Sequence, residues 1–197
     1  QAADNLDREI GRERTFEQVK ASGRDRWNRE LSRVSIKGAS EDDLTVFYTA
    51  FFRTLQYPRE FSEYGRYYSP FDERIHEGTS YTAYSLWDTF RAWHPMMTLL
   101  DTALVADIVR SALDIYEITG ELPVWPLASG ETGTMIGYHS VSVIADAWMK
   151  GIRGFDGGKA LEAMVRSAEK NTKGADYYIR EGYIPANFRK ESVSCLL

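Results

Sequence analysis

The sequence predicts an all-α fold, and three observations support that prediction. Apolar residues recur at helical spacing in six segments, which are separated by glycines, prolines and polar turns. Runs of alternating apolar and polar residues, which would indicate strands, are almost absent. The helical segments also differ in character, because 104–119 has a clean polar face whereas 134–150 is apolar or small nearly all round. An outer layer of helices around an inner layer accounts for this difference.

Two helices are predicted before Pro58. Thr15 is the predicted N-cap of a helix that runs to Val34. Ser40 is followed by three acidic residues, and it begins a second helix whose broad apolar face ends before Pro58. Residues 59–82 then lack a helical period and contain Gly, Pro and Tyr, which predicts a long loop with a short hairpin.

Four further helices are predicted in the rest of the chain. Their approximate bounds are 84–100, 104–119, 134–150 and 158–171. Gly120 and Gly151 are the predicted stops of the second and third of these helices. The stretch 121–134 is predicted to be a structured loop, and the residues from Gly174 onwards a tail of turns.

Composition and motif content exclude several classes of function. Among the 197 residues, 43% are hydrophobic and 27% are charged, as in a globular protein with a packed core. The net charge of −5 and the absence of a Lys/Arg run argue against nucleic acid as a partner. No stretch approaches the roughly 20 apolar residues of a membrane span. Because Cys195 is the single cysteine, there is no internal disulfide. Zinc, P-loop, nucleophile-elbow and EF-hand motifs are also missing, so no metal site is predicted in this stretch.

The densest group of chemically useful side chains lies in residues 84–95. Asp88 and Arg91 are spaced i,i+3 there, and Trp87, Arg91 and His94 are predicted to lie near one helix face. Sugar recognition uses this mixture, because charged groups bond to hydroxyls while an indole packs against the C–H face of the ring. The structural alternative is an Asp88–Arg91 ion pair at a buried helix start, with Trp87 and Trp93 in the core.

A second group follows the glycine-rich stretch 130–137. His139, Ser142 and Asp146 are predicted to form a polar stripe on an otherwise apolar helix. Such a stripe either makes internal hydrogen bonds or faces a cavity, and for His139 a core histidine is the alternative. Glu131 is a weak catalytic candidate, but its carboxylate could equally complement the helix N-terminus.

The two groups also carry a resemblance to a known family. The segments are SLWDTFR at 85–91 with His94-Pro95, and MIGYH at 135–139 with Asp146-Ala147. Five more segments occur in the family's order: WNREL at 27–31, FYTA at 47–50, PREF at 58–61, GYIP at 182–185 and ESVS at 191–194. Over residues 15–194 the chain thus resembles a central segment of the glycoside hydrolase family 92 α-mannosidases.

The resemblance implies an exo-acting, calcium-dependent α-mannosidase that removes terminal mannose from glycans with inversion. Its catalytic domain would be an (α/α)6 helical toroid preceded by a β-sandwich domain. Inversion needs a general acid and a general base about 6.5–9.5 Å apart, with a water between them. By resemblance, Trp87, Asp88 and Arg91 are the expected contacts to the terminal mannose, with His139 as a weaker one. Glu131 and Asp146 are only weak catalytic candidates.

One departure from the family concerns the end of the chain. Family members continue from the Val-Ser motif into a helix of pattern Ser-x-Thr-Leu-Glu-Tyr-Ala, whereas this sequence ends in Ser194-Cys195-Leu196-Leu197. The family's acid, base and calcium ligands lie beyond this point. We therefore expect a lead-in segment at 1–14 and an incomplete toroid at 15–197, truncated before its catalytic groups and inactive alone. The missing β-sandwich domain and remaining helices are expected in the full-length protein.

A different class of function stays open at this stage. The chain could be a non-catalytic helical module that binds a glycan or serves as a scaffold, and cleavage of a glycan would separate the two hypotheses. A secreted, periplasmic or cell-surface location is implied by the family alone. Half a toroid would also expose apolar helix faces, which predicts poor solubility as a monomer.

Overall fold

The computed structural model of the chain describes residues 2–11, 13–169 and 174–188. About half of these residues lie in helices and few in strands, so the predicted helical class is confirmed. The helices are α1 (Ala2–Glu9), α2 (Phe16–Leu31), α3 (Glu41–Thr54), α4 (Leu86–Thr89), α5 (Trp93–Leu100), α6 (Thr102–Thr119), α7 (Ser140–Met149), α8 (Gly157–Glu169) and α9 (Ala175–Glu181). The strands are β1 (Arg59–Glu60), β2 (Arg66–Ser69), β3 (Arg74–Glu77), β4 (Tyr81–Thr82), β5 (Pro126–Leu127) and β6 (Gly130–Glu131).

The chain divides into two compact units, Gln1–Gln56 and Tyr57–Leu197. The first unit contains α1, α2 and α3. The predicted boundary between a lead-in segment and the toroid, after residue 14, stays a prediction. The two units are defined by contacts within each unit, and this does not test where the toroid begins. No helix in the described ranges is long and apolar enough to cross a membrane.

The two long helices of the first unit begin at the predicted caps. Thr15 and Gln18 form a reciprocal capping box, in which the Thr15 hydroxyl accepts from the Gln18 N–H and the Gln18 side chain accepts from the Thr15 N–H. Ser40 accepts a hydrogen bond of 3.2 Å from the Asp43 N–H at the start of α3. The rings of Trp27 and Phe52 join α2 to α3, with centroids 4.4 Å apart. The predicted starts of both helices are confirmed, whereas α2 ends at Leu31 and not at the predicted Val34.

The second unit begins with the predicted loop at 59–82. β2 and β3 form the expected antiparallel hairpin, and β1 pairs with β4. Side chains in β2 alternate between exposed and buried, so that Tyr67 and Ser69 point inward. The Tyr67 hydroxyl donates to a carboxylate oxygen of Asp114 at 3.3 Å, which fixes the hairpin on α6.

Helix α6 lies in the core of the second unit. It carries nine buried residues: Val105, Ala106, Ile108, Val109, Ser111, Ala112, Leu113, Ile115 and Tyr116. Its N-terminus is capped by the Asp101 side chain, which accepts from the Leu104 N–H at 3.0 Å. At its C-terminus, Gly120 adopts the left-handed conformation (φ 75°) that glycine tolerates without strain. The prediction for 104–119 and its glycine stop is confirmed.

The prediction of one continuous helix over 84–100 is wrong. The chain forms the single turn α4, leaves the helical conformation at Ala92 (φ −137°, ψ −45°), and starts again as α5. Pro95 accounts for the break, because its ring would clash with the carbonyl of residue 91 and it has no N–H to donate. In the first turn of α5, by contrast, that missing N–H costs nothing.

The predicted start of the helix at 134–150 is also wrong, since α7 begins only at Ser140. Gly133 (φ 61°) and Gly137 (φ 74°) hold the preceding segment in a non-helical path. The predicted stop is confirmed, because α7 ends at Met149 and Gly151 is left-handed (φ 82°).

The tail of turns predicted from Gly174 onwards contains a helix instead. Gly174 and Gly182 stand at the two ends of α9, where both adopt the left-handed conformation. Each glycine therefore delimits a helix, which sequence reading mistook for successive turns. The predicted helix 158–171 is observed as Gly157–Glu169, and its predicted end at residue 171 lies outside the described residues. The motif at 191–194 and Cys195 lie outside them too.

Candidate functional site

Three of the predicted site residues lie together on α4 and the residues just after it. The guanidinium carbon of Arg91 lies 4.0 Å from the ring centre of Trp87, and its Nε donates to the Trp87 carbonyl at 3.2 Å. Asp88 and Arg91 are exposed, and Trp87 is half-buried. We call Trp87, Asp88 and Arg91 the α4 ledge. The exposure of Asp88 contradicts the alternative of an ion pair at a buried helix start, because the guanidinium is stacked on the indole.

The ledge is attached to the segment 123–126, which we call the strap. The Leu86 N–H donates to the Val124 carbonyl at 3.1 Å, and the Ala83 N–H donates to the Pro126 carbonyl at 2.9 Å. Leu86 also belongs to a buried cluster with Tyr84, Ile108 and Val143; that cluster joins the ledge to α6 and α7. The orientation of α4 therefore depends on residues that are distant in sequence.

Glu131 organises the strap from the β5–β6 hairpin. Its carboxylate accepts hydrogen bonds from the N–H groups of Val124 (2.8 Å), Trp125 (2.9 Å) and Gly133 (3.0 Å). The expectation that Glu131 complements a helix N-terminus is wrong, because α7 begins nine residues later, at Ser140. Both carboxylate oxygens of Glu131 thus accept backbone hydrogen bonds that hold the strap. A catalytic role for Glu131 stays a prediction.

His139 lies immediately before α7 and is buried, with 5% of its surface exposed. Its ring stacks on Phe90 with centroids 4.0 Å apart and planes 5° from parallel. The Gly137 backbone also lies close to this ring, because a Cβ added to Gly137 would stand 2.5 Å from the His139 Nε2 atom. The neighbouring Ser140 hydroxyl donates to the Pro123 carbonyl of the strap. His139 thus supports the ledge from the interior of the unit.

The predicted polar stripe of His139, Ser142 and Asp146 does not line one cavity. His139 is buried, whereas Ser142 is exposed on α7. Asp146 is half-buried and forms an ion pair with Lys150 at 2.7 Å. The Lys150 ammonium also donates to the Thr98 hydroxyl at 3.0 Å, so Asp146 links the end of α7 to α5.

A set of buried polar atoms lies behind the ledge. Within the described part of the chain, the Tyr84 hydroxyl, the Ser85 hydroxyl and both ring nitrogens of His94 have no hydrogen-bond partner. Burial lowers the pKa of His94 from 6.5 to about 4, so the imidazole is neutral near pH 7. Burial also raises the pKa of Tyr84, and the charge of Glu131 raises it further. The prediction that Arg91 and His94 share one face is wrong, because Arg91 is exposed and His94 is 1% exposed.

The described residues do not form a metal site, since no group of three or more His, Cys, Asp or Glu side chains within them could hold an ion. Two of the candidate carboxylates are used in other contacts, Glu131 with backbone N–H groups and Asp146 with Lys150, and Asp88 is left as a single exposed carboxylate. This donor set therefore does not fit the calcium ion that the family resemblance implies.

The two segments that carried the resemblance meet at this site. Phe90 follows α4 within the first motif, and His139 ends the second, and their rings are stacked. Residues 1–197 match the model of the glycosyl hydrolase family 92 catalytic domain. The chain belongs to glycosyl hydrolase family 92. The recognition made from the sequence motifs is thereby confirmed.

Solved structures of family 92 enzymes share the fold of this family 92 chain. An inverting mannosidase from Bacteroides thetaiotaomicron matches with a TM-score of 0.88 and 39% identity, over 93% of this chain and 26% of that one. An α-mannosidase from the same organism, solved in complex with mannoimidazole, matches with a TM-score of 0.91 and 34% identity, over 99% of this chain and 26% of that one. The family member ccman5 matches with a TM-score of 0.70 and 26% identity, over 94% of this chain and 25% of that one. The chain thus spans about a quarter of these enzymes' length. No curated protein sequence matches it.

Sequence reasoning missed two parts of this family 92 site. The spacing of the motifs does not predict a role for Phe90, although Phe90 joins α4 to His139. The strap at 123–126 lies in a predicted loop, yet it accepts the Leu86 N–H and is held by Glu131. Gly137, two residues before His139, was the available signal, because a glycine beside a ring indicates close approach of the backbone.

Proposed function

We propose that this family 92 chain supplies the contacts to the terminal mannose in an α-mannosidase that hydrolyses glycans with inversion. The observation that carries the proposal is the α4 ledge, where the exposed Asp88 stands beside the Arg91–Trp87 stack. The likeness to an inverting mannosidase and to an α-mannosidase solved with mannoimidazole supports this choice of substrate.

The ledge offers the three kinds of contact that a hexose requires. The Asp88 carboxylate accepts hydrogen bonds from sugar hydroxyls, and the Arg91 guanidinium donates to sugar oxygens in a fixed fork. The Trp87 indole provides an apolar surface for the C–H face of the ring. Because Arg91 covers one side of the indole, the sugar would pack against the part of Trp87 that remains exposed. His139 is proposed to contribute as a weaker member of the same site.

We propose that the general acid, the general base and the calcium ligands lie outside these 197 residues. Glu131 and Asp146 are both held in contacts that fix the local fold, which supports this assignment. The chain also spans about a quarter of the solved mannosidases, so a β-sandwich domain and the rest of an (α/α)6 toroid would complete the full-length enzyme.

Exposed apolar side chains in the second unit support the same proposal. Leu99 is 81% exposed, Met149 is 82% exposed and Leu161 is 60% exposed. Further helices of a longer protein would cover such residues, and without that cover the chain is expected to self-associate. Size-exclusion chromatography tests this expectation, and a stable compact monomer at high concentration would contradict it.

A second candidate is a glycan-binding module that does not cleave its ligand. The engagement of Glu131 with three backbone N–H groups and of Asp146 with Lys150 favours it, because neither carboxylate is placed as a free acid or base. The ledge would then bind mannose and release it unchanged.

Release of mannose from α-linked mannobiosides, with and without calcium, tests the proposal. The chain should be inactive, and a longer protein that contains it should be active only with calcium. Asp88→Asn in the longer protein should reduce kcat/KM, whereas the matched change Asp72→Asn on the β2–β3 hairpin should leave kcat/KM unchanged. Activity of the short chain would place acid and base within it. Binding without cleavage by the longer protein would favour the second candidate.

A further inference from the structure

We propose that His139 is a positioning residue, whose ring fixes the orientation of α4 and thereby of the sugar-binding ledge. The proposal rests on the proposed function, because it concerns how the same site is held. It assigns to His139 a task that needs a flat ring in a fixed place and does not need the ring nitrogens to reach the sugar.

Helix α4 is too short to hold its own orientation. It consists of one turn, and Ser85 at its N-cap makes no side-chain capping bond. Backbone hydrogen bonds run from the N–H groups of Asp88, Thr89 and Phe90 to the carbonyls of Ser85 and Leu86. A single helical turn is unstable alone, because few hydrogen bonds offset the ordering of its residues. Contacts from elsewhere must therefore orient it.

A continuous series of ring contacts leads from His139 to the ledge. His139 stacks on Phe90 at 4.0 Å, the Arg91 guanidinium lies 5.7 Å from the Phe90 ring centre, and the same guanidinium lies 4.0 Å over Trp87. Displacement of His139 would free Phe90, and Phe90 directly precedes Arg91. Arg91 and Trp87 would then lose the geometry in which they face the sugar.

The His139 ring is closely enclosed by its surroundings. Its exposed fraction is 5%, and the Gly137 backbone is so close that an added Cβ would stand 2.5 Å from Nε2. Gly137 has φ 74°, a conformation that glycine adopts without strain. The turn before α7 therefore leaves little free space beside the ring, and a side chain at position 137 would displace it.

The experiment uses the complete 197-residue chain with two substitutions at one site. His139→Phe keeps a flat ring and removes the nitrogens, whereas His139→Ala removes the ring. Hydrogen exchange at the amides of Asp88, Thr89 and Phe90 reports on α4 whether or not a ligand binds. Titration with methyl α-mannoside, followed at the Trp87 indole N–H by NMR, reports on the ledge. Ile152→Ala, which also opens a buried site in the second unit, is the matched control.

We expect His139→Ala to speed exchange in α4 by up to about tenfold, because one aromatic stack contributes up to about 1.5 kcal/mol. Exchange in α6 should stay within about twofold of the unmodified chain, given a local effect of that size. His139→Phe should restore both α4 exchange and mannoside affinity. Ile152→Ala should change neither α4 exchange nor affinity.

Three results would overturn the inference. The first is an unchanged rate of amide exchange in α4 of His139→Ala. The second is an exchange rate in α4 of Ile152→Ala that rises as much as in His139→Ala. The third is loss of mannoside affinity in His139→Phe, which would indicate direct contact of a ring nitrogen with the sugar. If His139→Ala does not fold, His139→Leu keeps an apolar side chain without a ring and is compared with His139→Phe in the same way. Should the unmodified chain bind no methyl α-mannoside, the proposed function fails for this chain, while the exchange measurement still decides the inference.

Discussion

Helix α6 and the segment 83–94 both pack into the core of the second unit, yet they are built differently. α6 is one uninterrupted helix of 18 residues with a capped start and a glycine stop. The segment 83–94 contains the single turn α4, a break, and the start of α5. It also holds the buried polar atoms of Tyr84, Ser85 and His94, which have no hydrogen-bond partner among the described residues.

This difference indicates that α6 is a packing element and that 83–94 is shaped for another purpose. Unpaired buried polar groups cost free energy, and a broken helix loses backbone hydrogen bonds. A chain selected for stability alone would avoid both. Costs of this kind are typical of functional sites, which supports the assignment of sugar binding to the ledge. Four predictions test the comparison, in order of decreasing effect.

The largest effect is expected from the core side of the comparison. Ile108 on α6 is 2% exposed and lies in the cluster with Tyr84, Leu86 and Val143. Ile108→Ala should lower the free energy of unfolding by about 2–5 kcal/mol, through lost burial and a residual cavity. Urea denaturation followed by circular dichroism measures this change. Leu99→Ala, at a position that is 81% exposed, should cost less than about 0.5 kcal/mol; similar costs at both positions would contradict the comparison.

The next effect is a pH dependence that comes from His94. Burial lowers its pKa from 6.5 to about 4, so between these values the unfolded chain binds the proton more readily than the folded one. The free energy of unfolding should therefore fall as the pH drops from 6.5 towards 4, by up to about 3 kcal/mol in total. Urea midpoints at pH 7 and pH 5 measure this. His94→Leu should flatten the difference between the two midpoints, and an unaltered slope would show that other groups cause it.

A smaller effect is expected from the clamp on the strap. Glu131→Ala removes the acceptor for the N–H groups of Val124, Trp125 and Gly133, and should cost about 1–2 kcal/mol because solvent replaces part of each bond. Hydrogen exchange at Val124 and Trp125 should accelerate. Glu131→Gln retains one oxygen acceptor, and its stability should lie between that of the unmodified chain and that of Glu131→Ala. If exchange on the strap stays slow in Glu131→Ala, the clamp is not what holds it.

The smallest effect on stability is expected at the ledge itself. Arg91→Ala removes the guanidinium from the exposed side of Trp87 and should cost less than about 1 kcal/mol, as for other exposed cation–π pairs. Mannoside binding should nevertheless be lost. Arg91→Lys keeps the charge without the planar fork and should recover only part of the affinity. A stability loss as large as that of Ile108→Ala would make Arg91 a core residue and would remove the contrast between the two regions.

Local signals allowed much of the helical fold to be predicted from the sequence. Thr15, Ser40 and Gly120 each act through groups a few residues away, so the pattern contains all the information needed. The break before α5 and the late start of α7 were missed, although their causes, Pro95 and Gly137, are visible in the sequence. Apolar periodicity continues through both positions, but it does not include the backbone constraints that proline and glycine impose there.

The geometry of the candidate site could be predicted only in part. Trp87 and Arg91 lie together, as their spacing predicts, but His94 is buried and does not share their face. The alternative Asp88–Arg91 ion pair is replaced by the Arg91–Trp87 stack. The roles of Phe90 and of the strap depend on contacts between segments far apart in the chain. Spacing within one segment carries no information on such contacts. A motif carries none either, unless the segment that packs against it is known.

The strap has a consequence for the order in which the molecule folds. Thr82 donates to the carbonyl of Pro126 across 44 residues, and α6 lies between the two. A contact across this separation costs loop-closure entropy before it contributes any stability, whereas the hydrogen bonds of a helix are local. We therefore expect α6 to form early and the ledge to be assembled last. Pulse-labelling hydrogen exchange during refolding should protect the amides of α6 before those of Ala83 and Leu86. Simultaneous protection would mean that the strap is instead part of the folding nucleus.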